Sequence, residues 1–290
     1  SEADVRSFAE ESVVDGTQIE RWRRRRWQDT VTTDGMQYSN AIRKDLFEPY
    51  NLGCECKDSC VDVQNCACLA RSQGLNYDPV YGLMVQYVPA RPQYDRPIYE
   101  CHQFCSCQKD ACKNRVVHKN KKNRGPLTVF NAGPKERGVL ALSHIRQGEF
   151  VGVIKGTYVD PDFENVYALA VEQRMMWNHV YTTVVREYGL LPHGSPYITA
   201  INGAGLADDI YTDLPPTSCI NHSCSPNLTI IPVRGYRDRP LLALFALRGI
   251  TRHEELTYSY FERSCEKARV TGKYCLCESW NCKRYLPFCA

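Results

Sequence analysis

Nine cysteines stand in two dense runs. Cys54, Cys56, Cys60, Cys66 and Cys68 follow the spacing C-x-C-x3-C-x5-C-x-C, and Cys101, Cys105, Cys107 and Cys112 follow C-x3-C-x-C-x4-C. Thiolates are soft ligands, and zinc takes four of them in a tetrahedral shell. Three ions need twelve ligand positions, which nine thiolates supply if six bind one ion and three bridge two. The spacing therefore points to a triangular three-zinc cluster. Its closed shells leave no open position for a substrate, so the metal is expected to be structural and its removal to unfold this region. A disulfide framework is the poorer reading, because alternate C-x-C thiols pair badly and a reducing compartment keeps them free.

The segment from Asn51 to Cys112 shows weak hydrophobic periodicity and many turn residues, so metal rather than a large apolar core must order it. The stretch between the two cysteine runs, with Asn76-Tyr77-Asp78, reads as a loop held at both ends by metal. After a basic link from Lys119 to Pro126, apolar runs at Leu127 to Asn131, Val139 to Leu142 and Phe150 to Val159 read as strands of an antiparallel β architecture. A helix is expected from Asp162, its cap, to Trp177, with further strands near Val180 to Arg186, Tyr197 to Ile201, Leu228 to Val233 and Leu241 to Leu247. No internal repeat is visible. Thr17 to Gln28 reads as a helix carrying Arg21-Trp22-Arg23-Arg24-Arg25-Arg26-Trp27, either a solvated face packing its tryptophans or a patch for nuclear import or the DNA backbone.

At 290 residues there is sequence for one large or two modest domains. The longest apolar stretch, Leu241 to Leu247, is far shorter than the roughly 20 residues that span a bilayer, so no membrane segment is expected. The charged start, Ser1 to Arg6, has no secretory pattern, and an intracellular protein is expected. A formal charge of +3 does not by itself indicate a nucleic-acid binder.

Asn221-His222-Ser223-Cys224-Ser225-Pro226-Asn227, followed by Glu255-Leu256-Thr257-Tyr258-Ser259-Tyr260, resembles the SET-domain lysine methyltransferases. The nine-cysteine segment looks like their pre-SET module and Cys275-x-Cys277-x4-Cys282 like their post-SET module, so the likeness covers residues 51 to 290. It is that of the SUV39-like class of histone-lysine methyltransferases, and Cys112-Lys113-Asn114-Arg115-Val116-Val117, Ile231-Pro232-Val233-Arg234 and Leu286-Pro287-Phe288 place it near the SETMAR-like branch.

The resemblance implies a mainly β, α+β fold: a SET-domain β-clip of small curved sheets with a knot-like crossing, flanked by a three-zinc pre-SET and a one-zinc post-SET module. The implied division is 1–50 N-terminal helical and basic segment, 51–125 pre-SET, 126–262 SET and 263–290 post-SET. Tyr260 matches the catalytic tyrosine that orients the amine, Tyr258 the position that tunes how many methyls are added, and Tyr181 an aromatic near cofactor and lysine. The implied S-adenosyl-L-methionine residues are Glu136, Arg137, Gly138, Tyr181, Ser218, Asn221, His222 and Tyr260. Cys224 joins Cys275, Cys277 and Cys282 in a four-thiolate zinc shell, leaving Cys219, Cys265 and Cys289 as buried or free thiols. The implied partner is a histone H3 tail or nucleosome in nuclear chromatin, the target its ninth-residue lysine, and the product mono- or dimethyl. DNA-backbone contact through Arg21 to Arg26 goes with it; oligomeric state is left open.

The chain departs from the family pattern at four places. Glu136-Arg137-Gly138 stands for glycine, aromatic, glycine; Ser218-Cys219 for arginine-phenylalanine; Ser259 and the strand Tyr197-Ile198-Thr199-Ala200 lack acidic residues usual there. A catalytically weak SET scaffold that binds chromatin or a partner, and a methyltransferase of non-histone proteins, are the alternatives to the histone enzyme.

Overall fold

The computed structural model describes residues 51–85, 96–121, 127–160, 163–188, 190, 196–236, 239–260 and 269–288. The expected N-terminal helix with Arg21 to Arg26, and Cys265 and Cys289, lie outside these residues. Three helices, α1 (Ala67–Arg71), α2 (Val116–Asn120) and α3 (Phe163–Trp177), accompany five small sheets among the described residues. No described helix is long and apolar enough to cross a membrane.

The largest sheet joins β1 (Ile98–Tyr99), β9 (Leu228–Arg234), β10 (Leu241–Ala246) and β4 (Phe150–Val153) in the order β1-β9-β10-β4. Every residue of β9 and β10 is buried, which is why both read as continuous apolar runs rather than alternating ones. Strand periodicity then divides them between two cores. Leu228, Ile230, Leu242, Leu244 and Ala246 enter one; Ile231, Val233, Leu241, Ala243 and Phe245 enter the other, together with Tyr77, Ile98 and Val117 from the cysteine-rich part. The sheet is thus the partition on which that part packs.

A second sheet, ordered β5-β7-β6, comprises β5 (Thr157–Val159), β7 (Tyr197–Asn202) and β6 (Thr182–Glu187). The expected single strand from Phe150 to Val159 breaks between β4 and β5 and changes sheets there. Gly156 marks the break, for a Cβ would run into the Asn202 carbonyl. Glu187 and Arg234, each 2% exposed, tie the two sheets by a bidentate pair, with Arg234 Nη1 and Nη2 donating at 2.8 and 2.6 Å. The hairpin β2 (Leu127–Asn131) with β3 (Arg137–Ala141), the pair β8 (Asn221–His222) with β11 (Thr257–Tyr258), and β12 (Arg269–Tyr274) with β13 (Tyr285–Phe288) complete the set.

The architecture is mixed rather than antiparallel throughout, since β1 pairs with β9 and β8 with β11 in parallel. The stretch between the cysteine runs is also more than a metal-held loop. Tyr77 is buried and stacks on Phe245 at 6.2 Å, and the buried Asn76 amide donates to the Tyr99 carbonyl and to Asn114 Oδ1.

Candidate active site

The parallel pair of β8 and β11 sets Asn221 beside Thr257 and His222 beside Tyr258. This is the crossing of the two motif segments that the resemblance implies. Asn227 fastens it: Nδ2 donates to the Glu255 carbonyl at 2.8 Å and to Glu254 Oε1 at 2.9 Å, while Oδ1 accepts from the Thr257 N–H at 2.9 Å. Asn221 Nδ2 donates to the Arg137 carbonyl at 2.9 Å and to Glu255 Oε1 at 3.0 Å, joining the crossing to β3. His222 Nδ1 accepts from the Tyr260 N–H at 3.0 Å, which puts the ring proton on Nε2, 3.3 Å from Cys224 Sγ. Burial, helped by Lys283, lowers its pKa to about 4, so the ring is neutral.

Three tyrosines gather at this crossing. The Tyr258 and Tyr260 rings lie 4.9 Å apart. Tyr260 Oη donates to the Ile220 carbonyl at 2.8 Å, Tyr258 Oη is 3.4 Å from Thr183 Oγ1, and Tyr181 Oη accepts from Arg137 Nη2 at 3.4 Å. Burial raises the pKa of all three, so they are neutral hydroxyls and not phenolate bases. Tyr181 owes its place to the buried Gln173 of α3, whose Oε1 accepts from the Tyr181 N–H at 2.8 Å and whose Nε2 donates to Asn202 Oδ1 at 2.8 Å.

Beside the tyrosines opens a cleft of about 230 Å³, lined by Lys135, Glu136, Arg137, His179, Tyr181, Ser218, Cys219 and Asn221. That space includes the mouth of the cleft, which is open to solvent. Of the expected cofactor residues, Glu136, Arg137, Tyr181, Ser218 and Asn221 line it, while Gly138, His222 and Tyr260 stand outside the lining. A Cβ at Gly138 would press on the Phe130 ring and Glu255 Oε1, so packing there requires the lack of a side chain. Glu136 sits at φ +66°, a region that favours glycine and strains an L side chain. Burial first, then Lys273 and Arg137, bring His179 down to about 4. An aromatic wall, an amide, a hydroxyl and a guanidinium suit a ligand with planar and charged parts. Lys135, His179, Cys219, Thr183, Gln173 and Asn227 were not picked out from sequence as site residues. Asn227 lay inside a quoted motif, and the others carry no spacing signal.

The thiols answer a geometric test. Four sulfurs at 2.3 Å from a tetrahedral zinc stand about 3.8 Å apart. The Sγ separations are 3.8 Å for Cys54–Cys60 and Cys54–Cys101, 3.7 Å for Cys68–Cys105 and 4.0 Å for Cys224–Cys275. Disulfide sulfurs would be about 2.05 Å apart. Cys54, Cys56, Cys60 and Cys66 form one group with metal-ligand spacing, Cys54, Cys60, Cys101 and Cys107 a second, and Cys54, Cys66, Cys68 and Cys101 a third, so sulfurs are shared as bridging requires. Cys68 and Cys105 group with His102, and Cys112 donates no ligand to these groups but is held down to about 6, chiefly by its hydrogen bond with Cys101. Arg115 Nη2 donates to Cys107 Sγ at 3.2 Å and offsets thiolate charge. Cys224, Cys275, Cys277 and Cys282 form the separate group, and the Lys283 and Arg284 N–H groups donate to Cys224 and Cys282 at 3.4 Å. The donor sets fit zinc.

The family model described as the SET domain matches residues 136–261, and that described as the Pre-SET motif matches residues 18–115. Histone-lysine N-methyltransferase SETMAR of Mus musculus is 31% identical over 253 residues, covering 81% of this chain and 74% of its own. The chain belongs to the SET-domain histone-lysine N-methyltransferases. Within that family, a Fusarium mangiferae relative named as H3 lysine-9 specific KMT1 is 26% identical, with 89% and 85% of the two chains covered. The solved structure of Arabidopsis thaliana SUVH6 in complex with SAM superposes with a TM-score of 0.61 at 25% identity, over 87% of this chain and 49% of that one. The family's fold and the sheets described above agree.

Proposed function

We propose that this chain transfers methyl groups from S-adenosyl-L-methionine to the ε-amine of a histone H3 tail lysine, the ninth-residue lysine, stopping at one or two methyls. The observation that carries this reading is the junction made by Asn221. Its side chain lines the cleft and holds β3, while its strand pairs with the one that carries Tyr258. Support for the target comes from the relative named as H3 lysine-9 specific.

The bound cofactor supplies a methyl on a positively charged sulfonium. The remaining work is alignment and presentation of a neutral amine. Free lysine titrates near 10.4, and a desolvated aromatic enclosure disfavours its ammonium form. The neutral hydroxyls of Tyr181, Tyr258 and Tyr260 can accept from an amine N–H, and Tyr260 keeps lone pairs free because its own proton goes to the Ile220 carbonyl. Tyr258 Oη, steadied by Thr183, takes up room that a dimethylated amine needs.

In this reading Cys54, Cys56, Cys60, Cys66, Cys68, Cys101, Cys105, Cys107 and Cys112 hold three zinc ions, and Cys224, Cys275, Cys277 and Cys282 one. The modules divide at 1–50, 51–125, 126–262 and 263–290, the protein works on chromatin in the nucleus, and Arg21 to Arg26 touch nucleosomal DNA. A scaffold without turnover is the second reading, favoured by the strained Glu136 at the rim of the cleft. Mass spectrometry of an H3 tail peptide, incubated with zinc-loaded protein and S-adenosylmethionine, separates them. One or two added methyls on the ninth residue support the enzyme; unmodified peptide, with cofactor bound, supports the scaffold.

A further inference from the structure

Trp280 stands 92% exposed at the tip of the turn between Cys277 and Cys282. It is held there, for the Cys282 N–H donates to the Ser279 carbonyl at 3.0 Å across the turn and Asn281 Nδ2 donates to the Cys224 carbonyl at 3.0 Å beside it. A tryptophan left in water packs nothing, and its broad ring face is open to a ligand. Tyr274 and Tyr285, paired across β12 and β13, stack with centroids 5.2 Å apart and are exposed as well. Each of the three rings lies within three residues of a thiol in the group of Cys224, Cys275, Cys277 and Cys282, so one metal-ligand cluster fixes them all. Cations accompany them. Between Cys275 and Tyr285, Lys283 and Arg284 are exposed against a single acid, Glu278. No described carboxylate pairs with the Arg284 guanidinium. Arg284 sits at φ +68°, where glycine would be unstrained, so the backbone bears a cost at the position that carries this exposed charge. Residues 263–290 hold six lysines and arginines against two acids, a surplus of four, while the whole chain is only +3.

Exposed ring faces set among cations match unpaired bases and their phosphates, whereas a duplex hides its base faces in the stack. We propose that this module binds single-stranded nucleic acid, with a base stacked on Trp280 and a phosphate on Arg284. The inference goes beyond the methyltransferase reading and does not depend on it. Fluorescence anisotropy on the zinc-loaded full chain tests it, with labelled oligouridine, oligothymidine and a DNA duplex of equal length as probes. Wild type binds the single strands more tightly than the duplex, and comparison of the two single strands tells whether ribose is read. W280A weakens single-strand binding by about tenfold, the worth of one stacked base. R284G, which glycine's tolerance of positive φ keeps folded, also weakens it and makes the salt dependence shallower by about 0.7 in slope, one phosphate contact. Affinity unchanged in W280A, a salt slope unchanged in R284G, duplex bound as tightly as single strands, or no binding at all overturns the inference. Contact with the phosphate backbone through Arg21 to Arg26 alone would take the duplex equally and ignore both variants.

Discussion

Tyr260 is half-buried, neutral and hydrogen-bonded to the Ile220 carbonyl, so the part it takes in the proposed reaction is to hold an amine and not to remove a proton. Tyr260→Phe is expected to lower kcat by about 10²-fold, the cost of a misplaced reactant, with little change in cofactor affinity; steady-state kinetics with an H3 peptide reads both. Tyr258→Phe empties the space its hydroxyl fills and should shift product from mono- and dimethyl toward trimethyl by mass spectrometry. A trimethyl fraction unchanged from wild type would remove Tyr258 from that role. Glu136 was legible as a departure, yet its consequence was not. Sequence shows a lost glycine, but only the backbone shows φ at +66°. Glu136→Gly should stabilise by about 1 kcal/mol through relief of that strain, read as a higher denaturant midpoint at unchanged slope.

At the scale of elements, the runs that became β9 and β10 announced themselves, because a strand buried on both faces is largely apolar along its length. The parallel pairs did not. β1 and β9, like β8 and β11, are far apart in sequence and only two residues pair in each, too few for periodicity to register. Asn227 shows the same limit, since a buried amide bridging two distant segments looks in sequence like any turn asparagine. Its partner Glu254 gives a pH test. Burial opposes the Glu254 carboxylate, but Arg248, the Thr251 N–H and Asn227 outweigh it and hold its pKa down to about 2. A depressed carboxyl stabilises above its unfolded value of ~4.3 and loses that contribution as pH falls through about 2. Glu254→Gln should therefore cost about 1 kcal/mol at pH 7 and flatten the acid limb of a stability profile in that window.

Over the whole molecule, two kinds of core share the load. Phe245 stands where the cysteine-rich part meets the central sheet, stacked on Tyr77 and edge-to-face with Phe150. The cluster beyond it is built largely of cysteines around Leu69. Such a core holds only while metal neutralises its thiolates, so stripping zinc with a chelator should melt the pre-SET part first, seen as loss of near-ultraviolet circular dichroism, while residues of β9 and β10 stay protected from hydrogen exchange. Cysteine spacing made this half of the molecule readable; the cleft became readable only once strands had brought Arg137, Tyr181 and Asn221 together. The central claim is that this junction performs methyl transfer. The most direct test is transfer of labelled methyl from S-adenosylmethionine to histone octamers by zinc-loaded wild type and Tyr260→Phe side by side. The account predicts label on H3 that is lost in the variant; label that persists at the wild-type rate, or none with either protein, contradicts it.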